Sequence, residues 1–258
     1  MTTTNPDPQT LLEFALDAAW QAGRITLGHF QTRFQAERKA DNTPVTLADR
    51  QAEQKLRDLI TRYWPDHGLL GEEFGQQPGA SGYRWLIDPI DGTKSFVSGV
   101  PLYATLLALT QDDEPLLGVA HFPALNETVY ARRGGGCYWN GRRAHVSTVD
   151  NLADAVLLCS DLDSFGAKTA AWQRLIAATY IQRTWGDAYG YALVATGRAE
   201  IHLDPIMALW DCGPFQVILE EAGGTFTDWQ GKPTIYGNES LATNGRLFSS
   251  VMDLVRPA

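Results

Sequence analysis

The sequence predicts a mixed fold, an α+β half that passes into an α/β half, and three observations predict it. Apolar residues recur at helical spacing through roughly the first 65 positions. Short apolar runs separated by Gly, Pro, Asn and Asp occupy about residues 83–138. Beyond Ser147, strand-like and helix-like segments alternate. Two layered subdomains are expected, residues 1–146 (α+β) and 147–258 (α/β), with no internal repeat and no linker.

Leu12, Leu16, Ala19, Trp20, Gly23, Leu27 and Phe30 recur on one helical face, so a long first helix is predicted from 11 to about 34, weakened by Gly23 and Gly28. Asp41-Asn42-Thr43-Pro44 has turn chemistry. Thr46 or Asp49 can cap a second amphipathic helix through Ala52, Leu56, Leu59, Ile60 and Tyr63, which Pro65 stops. The runs 85–87, 102–109, 116–122, 128–131 and 137–138 then read as an antiparallel sheet built from hairpins. In the second half, strands are predicted at 156–159, 180–183, 200–203 and 224–227, with helices near 168–178, 188–196 and 214–222 between them.

The chain has 258 residues and a formal charge of −9, and no cluster of Lys and Arg is longer than pairs such as Arg132-Arg133 and Arg142-Arg143. Binding along a nucleic-acid backbone is therefore disfavoured. The longest apolar stretches, such as 102–109, are too short to cross a bilayer, and the N-terminal MTTTNPDPQT has neither a basic nor an apolar signal region. A cytoplasmic protein with no membrane partner is expected. Cys137, Cys159 and Cys212 are widely spaced and odd in number, which points to buried free thiols rather than a disulfide framework or a zinc site. The five histidines show no ligand spacing, and Gly134-Gly135-Gly136 lacks the Gly-Lys-Ser/Thr of a phosphate loop, so a hairpin loop is expected there.

The most informative segment is WLIDPIDGTKSF, residues 85–96, in which an apolar strand delivers Asp88 and Asp91 at its end and a Gly-Thr turn follows. Two carboxylates three apart at a strand end can hold hard cations. Pro89 breaks the strand and turns the Ile90 carbonyl outward as a further oxygen ligand. Gly92, without a Cβ, lets a phosphate approach the backbone, and amides opening a short helix from Thr93 would point at that anion. A plain turn with Asx capping explains the same residues. Glu72 and Glu73 read equally as loop acids, Asp49 as a first-turn residue, and Asp211 as an N-cap before an apolar helix. The combination, in chain order, of a helix-start Asp, a Gly-Glu-Glu loop, a DPIDGT strand end and a Trp-Asp helix start favours a common site.

In this combination the chain resembles the inositol monophosphatase family of magnesium-dependent, lithium-sensitive phosphatases, over about residues 22–244. The stretches DNTPVTLAD, LGEEFG and DPIDGTKSFVSGVP are most similar to the histidinol-phosphate phosphatase branch, which commonly has Asn where this chain has Ser95. The resemblance implies a layered αβαβα sandwich, usually a homodimer, with two or three Mg²⁺ per active site. By matched motif, Glu72 and Asp88 with the Ile90 carbonyl would bind the first Mg²⁺, and Asp88, Asp91 and Asp211 the second. Gly92 and Thr93 amides would hold the phosphate, while Asp49 and the Thr93 hydroxyl would orient the attacking water. Where inositol-selective members follow the Trp-Asp motif with small alanines, this chain has Cys212-Gly213-Pro214.

Substrate choice must come from residues outside that set. Asp204 aligns with an acid that contacts substrate hydroxyls in inositol-selective relatives, and Asp187 precedes a helix. Each has a local explanation, Asp187 as an N-cap and Asp204-Pro205 as a turn. The functional expectation is that Asp187 and Asp204, with Asp91, line the substrate site and neutralise a cationic alcohol such as histidinol. A small phosphorylated metabolite is thus the expected partner, with inositol 1-phosphate or another sugar phosphate as the alternative. A haloacid-dehalogenase-type phosphatase would need DxD where this chain has DxxD, and a non-catalytic metal or phosphate sensor would not need every carboxylate of the metal set.

Overall fold

The computed structural model describes residues 6–32, 37–38 and 44–256. Helix α1 spans Pro8–His29, capped by Asp7 with Pro8 in its first turn, where a missing N–H costs nothing. It stops short of the predicted 34: the chain leaves the helix at Phe30, whose ring packs against Phe96 and Tyr103. Burial of that aromatic outweighs the local preference to continue. A short pair, β1 (Glu37–Arg38) and β2 (Pro44–Val45), precedes α2 (Leu47–Tyr63). The predicted turn at 41–44 lies, except for Pro44, outside the described residues.

Eight strands then form one sheet: β3 (Gly68–Gly71), β4 (Gly75–Gln77), β5 (Tyr83–Asp91), β6 (Ala104–Gln111), β7 (Glu114–Phe122), β8 (Glu127–Arg132), β9 (Gly136–Trp139) and β10 (Arg142–Arg143), in the order β10-β9-β8-β7-β6-β5-β3-β4. The pairing is antiparallel as expected, except that β3, which periodicity did not predict, runs parallel to β5. Short helix α3 (Thr93–Val97) follows β5. The second sheet contains β11 (Val156–Leu158), β12 (Ile181–Arg183), β13 (Ile201–Asp204), β14 (Thr225–Thr227) and β15 (Ser240–Thr243), ordered β12-β11-β13-β15-β14. Its helices are α4 (Thr169–Ala178), α5 (Ala188–Ala195), α6 (Leu209–Cys212), α7 (Phe215–Ala222) and α8 (Phe248–Val255).

Strand alternation builds the layers, because successive side chains point to opposite faces. Trp85, Ile87, Leu107, Leu109 and Val119 face α1 and α2, whose Leu11, Ala15, Ala19, Leu56 and Ile60 are fully buried against them. Leu86, Leu106, Ala108 and Ala120 face the other way, onto α5 and α7 through Tyr191, Phe215 and Leu219. Those two helices also cover Leu158, Phe226 and Ala242 of the second sheet, whose far side, Leu157, Ile201, Leu203 and Leu241, packs on α4 and α8. The order α1/α2, sheet, α5/α7, sheet, α4/α8 is the αβαβα sandwich that the resemblance implied. All three cysteines are buried free thiols, and among the described residues no helix is long and apolar enough to cross a membrane.

Candidate active site

The end of β5 carries the first acids. Pro89 has no N–H to give the ladder, and the pairing with β6 slips there, Asp88 opposite Leu106 but Asp91 opposite Ala104. A bulge is where a strand tolerates proline, and it re-aims the residues around it. Asp88, 3% exposed, accepts the Ile90 N–H at 3.0 Å. Gly92 sits at φ +77°, a left-handed conformation that glycine adopts without strain, and starts α3. The Thr93 hydroxyl donates to the Ile90 carbonyl at 3.0 Å.

Two helix starts bring further carboxylates in the same way. Asp49 is the third residue of α2, where its Oδ2 accepts the Thr46 N–H at 2.8 Å and the Thr46 hydroxyl at 2.6 Å. Its Oδ1 is buried with no hydrogen-bond partner among the described residues. Asp211 is the third residue of α6, not an N-cap, and its Oδ2 accepts the Ala208 N–H at 2.8 Å. Each helix thus uses one carboxylate oxygen to satisfy an orphan N–H, and the position fixes the side chain. Asp88, Asp91 and Asp211 each offer an oxygen within 4.8 Å of the others. Glu72 lies in the loop between β3 and β4, its N–H bound to the Ile87 carbonyl of β5 at 3.2 Å.

These carboxylates stress one another. Burial pushes Asp49 up to about 6, against its Thr46 hydrogen bonds, and the Glu72 charge adds to the rise. Burial also pushes Asp211 up to about 7, again with a contribution from Glu72. Asp88 is driven well above the carboxylate range by burial, then by Glu72, Asp91 and Asp211, and Asp91 by burial, then by Asp187 and Asp211. Like charges held this close favour protonation or a counter-cation. Hard carboxylate oxygens at this spacing suit a divalent hard cation.

Asp187 and Asp204 differ from the sequence expectation in ways that separate their roles. Asp187 occupies the N-cap position of α5 but its side chain makes no capping bond, and its φ of +51° is strained for a residue other than glycine. Its N–H is held by the Ser160 hydroxyl at 2.6 Å, and its Oδ2 lies 3.0 Å from where a Gly92 Cβ would stand. Burial, with the charge of Asp204, pushes Asp187 up to about 6. The next N–H, of Ala188, donates to Asp91. Asp204, by contrast, is filled: Oδ1 accepts the Ser160 N–H at 2.9 Å, and Oδ2 takes the Ser160 hydroxyl, Tyr191 hydroxyl and His202 Nε2 at 2.8–2.9 Å. Burial works to raise Asp204, but the His202 ring and these hydrogen bonds outweigh it and hold it low.

Asp49, Glu72, Asp88, Asp91 and Asp211 are therefore brought together, with Asp187 beside Gly92 and Asp204 behind it. Sequence reasoning missed Ser160, which links those last two and stands 44 residues from Asp204 in the chain with no local signal. It also missed Glu53 and Arg57, although Asp49, Glu53 and Arg57 recur every fourth residue along α2. That spacing showed a stripe; its burial was hidden.

The model of the inositol monophosphatase family matches residues 7–255. A histidinol-phosphatase of Chlorobaculum parvum is 44% identical over 237 residues, spanning 90% of this chain and 91% of that protein. A fructose-1,6-bisphosphatase/inositol-1-monophosphatase of Thermotoga maritima is 32% identical over 247 residues, spanning 95% of each. Among solved structures, the extragenic suppressor protein suhB from Bartonella henselae superposes with a TM-score of 0.90 at 27% identity, over 96% of this chain and 99% of that one.

Proposed function

The chain belongs to the inositol monophosphatase family and is a phosphoric monoester hydrolase, and from that premise we propose a Mg²⁺-dependent phosphatase that hydrolyses L-histidinol phosphate to L-histidinol and phosphate in histidine biosynthesis. The donor set fits the ion, since three carboxylates within 4.8 Å of one another, strained by mutual repulsion, are hard oxygen ligands with no countercharge among the described residues. Glu72, Asp88 and the Ile90 carbonyl would hold one Mg²⁺, and Asp88, Asp91 and Asp211 a second. When bound, Mg²⁺ supplies Lewis acidity and charge neutralisation for in-line displacement at phosphorus.

The rest falls to the protein. The Thr93 hydroxyl spends its proton on the Ile90 carbonyl, so its lone pairs are left to accept from a water. The buried Oδ1 of Asp49, which has no partner among the described residues, is a second acceptor; the two together orient that water, and the Asp49 carboxylate takes up its proton. Amides of Gly92 and Thr93 hold the ester's phosphate oxygens. Water oxygen bonds to phosphorus as the ester P–O bond breaks, and the leaving alkoxide takes a proton from solvent water to depart as the alcohol. No phosphoenzyme forms.

The observation that carries the substrate reading is Asp187, a half-buried acid outside the metal set that caps nothing and stands over Gly92. Such an acid suits a cationic alcohol, with Asp204 supporting it from behind through Ser160. The 44%-identical histidinol-phosphatase supports the same reading. Inositol 1-phosphate or a sugar bisphosphate is the second reading, favoured by the Thermotoga maritima relative. Phosphate release with and without Mg²⁺ from histidinol phosphate, inositol 1-phosphate, fructose 1,6-bisphosphate and adenosine 3′,5′-bisphosphate decides between them. Highest kcat/KM on histidinol phosphate is expected; preference for a sugar phosphate overturns the assignment. Millimolar Li⁺ should inhibit by competing at the Asp211 site, with Na⁺ as the ionic control.

Further expectations are a cytoplasmic location and a homodimer. The division into residues 1–146 and 147–258 is supported by the sheets, the eight-stranded one lying wholly before that boundary and the five-stranded one wholly after it.

A further inference from the structure

The carboxylate of Glu53 is fully buried one turn beyond Asp49 on α2, and its partners all belong to the segment that carries Glu72 or serve it. Its Oε2 accepts the Glu73 N–H at 2.7 Å and its Oε1 the Phe74 N–H at 3.2 Å. Arg57, one turn further, pairs with Glu53 Oε1 at 2.7 Å and also donates to the Gly75 carbonyl. A Cβ on Gly71 would collide with the Glu53 carboxylate, so the strand leaves room for that group beneath the loop. Gly71 and Gly75 are cross-strand partners in β3 and β4, and the three residues they bracket are Glu72, Glu73 and Phe74.

We propose that Glu53 and Arg57 form a clamp that positions Glu72 for the metal, so that α2 sets the protein's affinity for Mg²⁺. A buried carboxylate is costly unless its lone pairs are filled. Here two backbone N–H groups and a guanidinium fill them: the two N–H bonds hold the loop from beneath, and Arg57, paired with Glu53 along α2, holds it again at the Gly75 carbonyl. Glu72 itself makes its backbone bond upward, to Ile87 of β5, so its side chain is set between two anchored ends. Glu53 touches no reacting atom; it is a positioning residue, and its effect passes through the loop. The inference rests on the reading of Glu72 as a ligand.

The test compares Glu53→Gln, Glu53→Ala, Arg57→Lys and Glu72→Gln with the wild-type chain. The melting temperature is followed as Mg²⁺ alone is titrated, and kcat and KM are measured across the same Mg²⁺ range. The clamp predicts that Glu53→Ala raises the Mg²⁺ half-saturation about tenfold or more, the scale of losing charge-assisted hydrogen bonds. Saturating Mg²⁺ restores kcat, and KM for the ester stays near wild type. Glu53→Gln, which keeps one acceptor, shows a smaller shift. A residue that only holds the fold together would lower the melting temperature without moving the Mg²⁺ half-saturation, and that result in Glu53→Ala overturns the clamp. Should Glu53→Ala not fold, Arg57→Lys and Glu53→Gln carry the same comparison. An unchanged half-saturation in Glu72→Gln overturns the ligand reading instead; a change there with none in the Glu53 or Arg57 variants overturns the clamp alone.

Discussion

An amide at position 88 can still accept the Ile90 N–H, so Asp88→Asn should keep the turn after β5 while removing the charge at the centre of the acidic cluster. Turnover should fall by several orders of magnitude, since a shared ligand carries several kcal/mol of transition-state stabilisation. A folded variant with a large share of wild-type kcat at saturating Mg²⁺ would overturn the metal reading. At Asp187 the expected effect is selective. Asp187→Asn should lower kcat/KM for histidinol phosphate about tenfold, and for glycerol 2-phosphate much less. Equal losses on both esters would remove the cationic pocket. Asp204→Asn meets four filled acceptor positions, two of them against donors on Ser160, and should cost stability first, seen as a lower melting temperature with little change in relative preference. The DPIDGT segment was legible because its chemistry is local: the proline marks a bulge, the glycine a left-handed turn, and the acids lie on either side. Asp204 was not, because what fills its carboxylate comes from Ser160 and Tyr191, which no short-range pattern connects to it.

At the scale of elements, the helix α7 lies so close to β7 that a Cβ on Gly118 would stand 2.6 Å from the Pro214 Cα. Gly118→Ala therefore must push the start of α7 away from the sheet. Overpacking of this kind costs about 1–3 kcal/mol, and a fall in melting temperature of about 2–4 °C for each kcal/mol is expected at this chain length. Because Asp211 lies three residues before Pro214, the Mg²⁺ half-saturation should rise as well. A variant that melts like the wild type would show that the helix can shift without cost. Long, strongly patterned elements were legible: α2, β6, β7 and α7 fall within a residue or two of their predicted bounds. The short strands β11 to β14 also fall within about a residue of theirs, but β3 and β4 were not legible. Gly68-Leu69-Leu70-Gly71 is too short and too glycine-rich to announce a strand, and becomes one only because β5 supplies a parallel ladder. The end of α1 was misjudged for the same reason, since Phe96 and Tyr103, far along the chain, draw Phe30 out of the helix.

For the molecule as a whole, the acidic cluster links folding, pH and metal. Asp49 at about 6 and Asp211 at about 7, with Asp88 and Asp91 also raised well above the ordinary carboxylate range, hold their protons more tightly folded than unfolded, where a carboxylate titrates near 3.9. A raised carboxylate contributes stability below its unfolded pKa and loses it as pH rises through its folded pKa, so the metal-free protein should weaken progressively from about pH 4 to above pH 7. His67 and His121 act oppositely: burial lowers each to about 4, and each makes the fold less stable as pH falls from about 6.5 towards 4. Both lie outside the carboxylate set, so they affect metal-free and metal-loaded protein alike and cancel in the difference between the two. That difference isolates the site. Mg²⁺ needs ionised carboxylates, and its stabilisation should be small at pH 5 and full by pH 8. With a Kd of about 1 mM, 10 mM Mg²⁺ contributes about 1.4 kcal/mol per ion, or about 3–6 °C for one ion in a chain of this size. Paired melts in EDTA and in Mg²⁺ across pH 5–8 measure it directly. The gap should widen with pH and close in Asp88→Asn; a gap that is constant with pH, or that survives in Asp88→Asn, would place the stabilising Mg²⁺ elsewhere on the protein.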